Sequence, residues 1–114
     1  MTGITTHVLD TARGGPAPGV AVSLAGRATS GDGWTEVARA TTDADGRVAN
    51  LLPEKGRTPG GTYRLRFEVG AYFAAQGIRA FYPYVEVVFT MQDDRHHHVP
   101  LLISPFGYST YRGG

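Results

Sequence analysis

The sequence predicts an all-β protein, a sandwich of short antiparallel strands, and three observations carry that expectation. Turn-forming clusters recur about every ten to fifteen residues: Gly14-Gly15-Pro16-Ala17-Pro18-Gly19, Ser30-Gly31-Asp32-Gly33, Asp43-Ala44-Asp45-Gly46 and Thr58-Pro59-Gly60-Gly61. The segments between them alternate apolar and polar residues with the period of two that a half-buried strand requires. Sixteen glycines and seven prolines among 114 residues leave little room for long helices. Together these suit about seven or eight strands in two packed layers.

Each element follows from its own pattern. In the first strand Ile4, Thr6 and Val8 fall on one face, while Thr5, His7 and Leu9 fall on the other. Val20, Val22 and Leu24 form a second core stripe. The clearest alternation is Tyr63, Leu65, Phe67 and Val69 toward the core, with Arg64, Arg66 and Glu68 toward water. Gly70 to Gly77, containing Tyr72, Phe73, Ala74 and Ala75, is predicted as one short helix. Phe81, Tyr82 and Tyr84 around Pro83 read as sheet-edge packing, and Val85, Val87, Phe89 and Met91 as a further core stripe. Near the C-terminus Val99, Leu101 and Ile103 share the core parity with His97. His96, His98, Pro100 and Leu102 take the opposite face, which places two imidazoles where a sandwich meets solvent or a partner. No repeat or linker divides the chain, so residues 1–114 are expected to form one domain.

Composition narrows the function classes. Eleven basic residues against ten acidic ones give a formal charge of +1, without the cationic footprint that nucleic acid or anionic lipid demands. No stretch approaches the ~18 to 20 apolar residues of a membrane span, and no leader pattern follows Met1, so a cytoplasmic protein is expected. The absence of cysteine excludes a thiol nucleophile, a disulfide framework, an iron–sulfur centre and a cysteine-ligated zinc.

The residues that carry chemistry are His7, Arg47, His96 and His98. Histidine titrates near neutrality, so one imidazole can activate water while another acts as an acid or hydrogen-bond donor. A fixed guanidinium can stabilise the negative charge that develops on a substrate oxygen. This is the minimum equipment for metal-free hydrolysis of an activated amide. The same spacing also permits a zinc ion held by His7, His96 and His98, and spacing alone leaves both open. A serine triad is disfavoured because no serine sits in a Gly-x-Ser-x-Gly context. Asp43 and Asp45 are expected to serve their turn through local hydrogen bonds.

Four segments, in order, resemble the transthyretin-like 5-hydroxyisourate hydrolases. They are Ile4-Thr5-Thr6-His7-Val8-Leu9-Asp10 with Thr11 to Gly14, Pro16 and Gly19 following; Thr42-Asp43-Ala44-Asp45-Gly46-Arg47-Val48; Phe81-Tyr82-Pro83; and the run from His96 to Gly113. The resemblance implies a β-sandwich of two four-stranded sheets with one short helix. It also implies a homotetramer built as a dimer of dimers, and active sites in a channel where dimers meet. Family members hydrolyse 5-hydroxyisourate to 2-oxo-4-hydroxy-4-carboxy-5-ureidoimidazoline, a step towards allantoin, and use neither cofactor nor metal. The family's catalytic positions fall on His7, Arg47 and His98, and its substrate-binding tail on Tyr111, Arg112 and Gly113. His96 has the parity of His98 and is read as a rim residue, whereas His97 is read as structural. The resemblance departs at Gly114, where the family usually has serine or threonine. Transthyretins share the fold and carry thyroid hormone in the same channel, which is the alternative function. They lack the set formed here by His7, Arg47, His98 and Tyr111-Arg112-Gly113.

Overall fold

Alternation becomes strand over most of each predicted segment, but the Tyr63–Val69 stripe stops at Phe67, and Val69 is the buried first residue of the helix. In the computed structural model, which describes residues 3–27, 33–51, 61–91, 93 and 95–113, the strands are β1 (Ile4–Asp10), β2 (Gly15–Pro16), β3 (Ala21–Arg27), β4 (Thr35–Thr41), β5 (Arg47–Val48), β6 (Thr62–Phe67), β7 (Val85–Thr90), β8 (His97–Ser104) and β9 (Gly107–Thr110). Most of the predicted turns at Ser30–Gly33 and Thr58–Gly61, and Gly114, lie outside the described residues.

One sheet runs β4-β3-β6-β7 and is antiparallel throughout. The other runs β2-β1-β8-β9, with β5 as a fifth, two-residue strand on β1. One edge of β1 is therefore shared: Thr6 and His7 pair with β5, while Leu9 and Asp10 pair with β2. Two departures from expectation follow. This sheet has five strands where four were expected, and β1 pairs with β8 in parallel, which an all-antiparallel reading does not contain. A parallel pair needs a long crossover, and here the entire second sheet supplies it.

The core forms where the inner parities meet. Ile4, Val8, Leu101 and Ile103 of one sheet and Leu24, Leu65, Phe67 and Val85 of the other are all at most 2% exposed. Val87 and Phe89 lie on the predicted core stripe but are only partly buried, because β7 is the outermost strand of its sheet. On the outer face of the β4-β3-β6-β7 sheet, Arg64 and Arg66 pair with Glu86 and Glu68, and Trp34 lies under the guanidinium groups of Arg27 and Arg64.

The helix expected over Gly70–Gly77 is α1 (Val69–Ala74). Gly77 ends the helical turn in the left-handed region at φ 72°, and the Ile78 N–H returns to the Phe73 carbonyl. From α1, Tyr72 donates its hydroxyl proton to the buried Asp10 carboxylate at 2.8 Å, while the Ala12 and Arg13 amides donate to the other carboxylate oxygen. A buried carboxylate costs heavily unless its oxygens are satisfied. This network ties the end of β1 to the opposite layer and fixes the strand that carries His7.

Candidate active site

Arg47 is placed by its turn. The Asp43 carboxylate accepts the Asp45 and Arg47 amides at 2.9 and 3.0 Å, and the Gly46 amide donates to the Asp43 carbonyl. Those bonds, the Arg47 amide foremost, hold the Asp43 carboxyl below its ordinary range, with the Arg47 and His7 charges adding to the effect. Gly46 adopts φ 76°, and a Cβ there would run into the Val8 carbonyl, so glycine is the residue this turn admits. Arg47 leaves the turn as the first residue of β5, directly opposite His7 on β1.

The parallel β1–β8 register assembles the rest. It sets Thr5 beside His98 and His7 beside Pro100. Directly paired residues share a face, so Thr5, His7, Arg47 and His98 all project from the outer face of the β1-β8 sheet. His7 donates its Nε2 proton to the Asp45 carbonyl at 2.9 Å, which leaves Nδ1 as the nitrogen available to a ligand. The turn that positions Arg47 thus also orients His7.

His98 is partly buried in this cluster. Burial is the first cause that pushes its imidazole below the ordinary value of 6.5, followed by the nearby charges of His7, His96 and Arg47. The ring is therefore neutral at physiological pH, the state a general base requires. Its Nδ1 lies 2.8 Å from Thr5 Oγ1, and the same hydroxyl lies 2.7 Å from Nε2 of His96. Thr5, Asp43, Arg47, Val48, His96 and His98 line an open groove of about 470 Å³ on this face. That is room for a small heterocycle.

The tail divides between two places. Gly113 bridges back to His98, donating its amide proton to the His98 carbonyl at 2.8 Å. It also covers Pro100, which is buried although its parity placed it on the open face. Tyr111 and Arg112 lie instead along a separate cavity of about 220 Å³ between the free edges of β7 and β9, beside His97 and Val99. Arg112 reaches Asp93 at 3.8 Å. Within one chain, then, His7, Arg47, His98 and Gly113 come together, and Tyr111 and Arg112 do not join them.

A Cβ on Gly113 would stand 2.6 Å from Cδ2 of His98, and Gly113 has no left-handed φ that would strain an alanine. The substitution Gly113→Ala therefore displaces the imidazole without distorting the strand. Turnover is expected to fall about 10²-fold, the scale of an ångström-sized misplacement of a catalytic group. The melting temperature should stay close to that of the parent. Steady-state kinetics beside a thermal melt checks both.

His97 occupies the core parity, 3% exposed, with its Nδ1 proton donated to the Arg95 carbonyl, and is structural as expected. Among the described residues no group of three or more histidine and carboxylate side chains is disposed to hold a metal ion. His96 and His98 turn ring nitrogens onto one threonine hydroxyl instead. Sequence reasoning missed Thr5 as a functional residue. Its parity with His7 was legible, but its contact with His98 depends on a strand pairing 93 residues apart in sequence. Asp93, the carboxylate that anchors Arg112, was also missed, and no local pattern marks it.

Fold and groove together define a class: a two-layer β-sandwich whose open sheet face carries an imidazole and guanidinium cluster equipped for acid–base chemistry. Comparison with known proteins makes this more particular. The model of the HIUase/Transthyretin family matches residues 4–113, and the chain belongs to that family. The 5-hydroxyisourate hydrolase of Deinococcus radiodurans is 49% identical over 115 residues, covering 97% of this chain and 95% of that one. The solved 5-hydroxyisourate hydrolase of Klebsiella pneumoniae is 38% identical, with a TM-score of 0.81 over 98% of this chain and 99% of its own. Sea bream transthyretin, solved with thyroxine, is also 38% identical, with a TM-score of 0.87 over 96% of this chain and 93% of its own. Backbone similarity thus does not separate the hydrolase from the thyroxine-bound transthyretin, and the decision rests on side chains.

Proposed function

We propose that this protein is a hydrolase of 5-hydroxyisourate and that the groove lined by Arg47 and His98, with His7 paired to Arg47 beside it, is its active site. The observation that carries the reading is the placement of a partly buried His98, Arg47 and a second histidine, His7, on one face of the sheet, with burial and those neighbouring charges holding the His98 imidazole below its ordinary value.

In the reaction, His98 Nε2 takes a proton from water as the water oxygen attacks the ring amide carbonyl. The Arg47 guanidinium stabilises the oxyanion that forms. The tetrahedral centre collapses with cleavage of the carbon–nitrogen bond, and His98 returns its proton to the departing ring nitrogen. The products of that cleavage are a carboxylate and a ureido group, as in 2-oxo-4-hydroxy-4-carboxy-5-ureidoimidazoline. His7, oriented by the Asp45 carbonyl, presents Nδ1 to a ring N–H and sets the substrate's register. No step calls on a metal or cofactor.

Protein in catalytic amount, added to urate freshly oxidised by urate oxidase, is expected to speed decay of the ultraviolet-absorbing intermediate, and to do so equally after exhaustive chelation. No acceleration by folded protein would overturn the hydrolase reading. Activity lost on chelation and restored by zinc would revive the three-histidine metal site.

Assembly into a homotetramer belongs to the same proposal. The exposed aromatics Phe81, Phe106, Tyr108 and Tyr111, and the free edges of β7 and β9, support burial against further copies. A neighbouring chain would then close the open groove and give Tyr111 and Arg112 a substrate-binding role. Light scattering is expected to give the mass of four subunits, and an active monomer would contradict it. A cytoplasmic location is supported by the cysteine-free composition. Among the described residues no helix is long and apolar enough to cross a membrane.

A further inference from the structure

One hydroxyl serves two imidazoles at the groove: Thr5 Oγ1 lies 2.7 Å from His96 Nε2 and 2.8 Å from His98 Nδ1. A hydroxyl has one proton to donate, and a neutral imidazole has one N–H and one lone pair. If Thr5 donates to His98 Nδ1, the proton of neutral His98 sits on Nε2, where the ring cannot act as a base toward the groove. If His98 Nδ1–H donates to Thr5 and Thr5 donates to His96 Nε2, then Nε2 of His98 is a bare lone pair. Among the described residues that nitrogen has no hydrogen-bond partner. The two histidines also differ in solvation: His96 is exposed and His98 partly buried.

We infer that Thr5 and His96 form a proton relay that sets the tautomer of His98 and holds the reaction's positive charge on the exposed ring. The inference rests on the hydrolase reading of His98. When His98 Nε2 takes the water proton, its Nδ1 proton passes to Thr5 Oγ1 as the Thr5 proton passes to His96 Nε2. His98 stays neutral, and the imidazolium is His96. When His98 Nε2 gives its proton to the departing nitrogen, both relay protons move back and the starting tautomer is restored. Charge is cheaper on an imidazole that water can reach than on a desolvated one, which gives His96 a function that a rim residue does not need. His96 and Thr5 are positioning residues here, acting through His98.

The test uses Thr5→Val, which keeps the β-branched shape and deletes the hydroxyl; Thr5→Ser, which keeps the hydroxyl; and His96→Gln, which cannot carry the proton. Nitrogen–proton correlation spectra, recorded where His98 is neutral, read the tautomer without substrate. The wild-type ring is expected as Nδ1–H, moving toward Nε2–H in Thr5→Val and returning in Thr5→Ser. In kinetics, Thr5→Val and His96→Gln should each lower kcat about 10- to 100-fold with KM within about twofold. Their combination should be no worse than the weaker single variant, as befits one unit. Thr5→Ser should recover most of the lost kcat. A wild-type His98 found as Nε2–H, an undiminished kcat in Thr5→Val, or additive losses in the double variant would each overturn the relay. Those results leave the hydrolase reading standing, since it falls only if the wild-type protein fails to accelerate decay.

Discussion

Replacing His98 by alanine is expected to lower turnover about 10²- to 10⁴-fold, the range spanned by positioned general bases. Among the described residues the ring makes one side-chain hydrogen bond, to Thr5, and it sits on a groove wall outside the core cluster. The variant should therefore melt close to the parent, and the loss should fall in kcat. The pH dependence follows from the direction of the shift. The proposed base is the neutral ring, and burial holds the His98 value below 6.5. Activity should accordingly persist at pH 6.5 and decline only as the pH falls through that lowered value. The groups facing the ring are His7, Arg47 and His96. Removing Arg47 should raise the His98 value and move the acidic limb toward neutrality, which a pH–rate profile of Arg47→Ala at measurable residual activity reads directly.

Arg47→Lys is expected to cost nearly as much, about 10²- to 10³-fold in kcat, although the charge is retained. A guanidinium offers a planar fork of donors fixed in direction, whereas an ammonium is a compact and strongly hydrated point charge. Stabilising an oxyanion depends on donors already aimed at the position the charge will occupy. The Asp43 turn keeps the Arg47 backbone in place whichever side chain follows, so the substitution isolates side-chain geometry from loop structure. A kcat within about threefold of the parent would show that charge alone suffices and would remove the fork from the mechanism.

The strands were legible because each carries its own evidence of burial in a period of two. Tyr63, Leu65 and Phe67 point inward in the structure as in the sequence, and the same holds for Val99, Leu101 and Ile103. His97 and His98 were separated correctly for that reason alone. Pairing partners carry no such local mark. Nothing in Ile4–Asp10 states that it lies parallel to His97–Ser104, yet that register places Thr5 on His98. The two-residue strand β5 is too short for any periodicity to show, so the fifth strand went unseen. Gly113, expected in the substrate-binding tail, lies directly against the His98 imidazole in the structure. Arg112 was read as a ligand of the substrate in the same site as His98. The β8–β9 ladder instead turns it to the inner face, where Asp93 holds it.

The central claim is that the outer face of the β1-β8 sheet, through His7, Arg47 and His98, hydrolyses 5-hydroxyisourate. The most direct measurement compares the initial decay rate of freshly generated 5-hydroxyisourate, per subunit, for the parent and for a variant in which all three residues are alanine. Both proteins must first be shown to melt as folded species. The account predicts acceleration of many orders by the parent and, for the variant, decay at no more than about 10⁻³ of the parent rate. A folded triple variant that turns over within tenfold of the parent would contradict it, and would move the active site off this face.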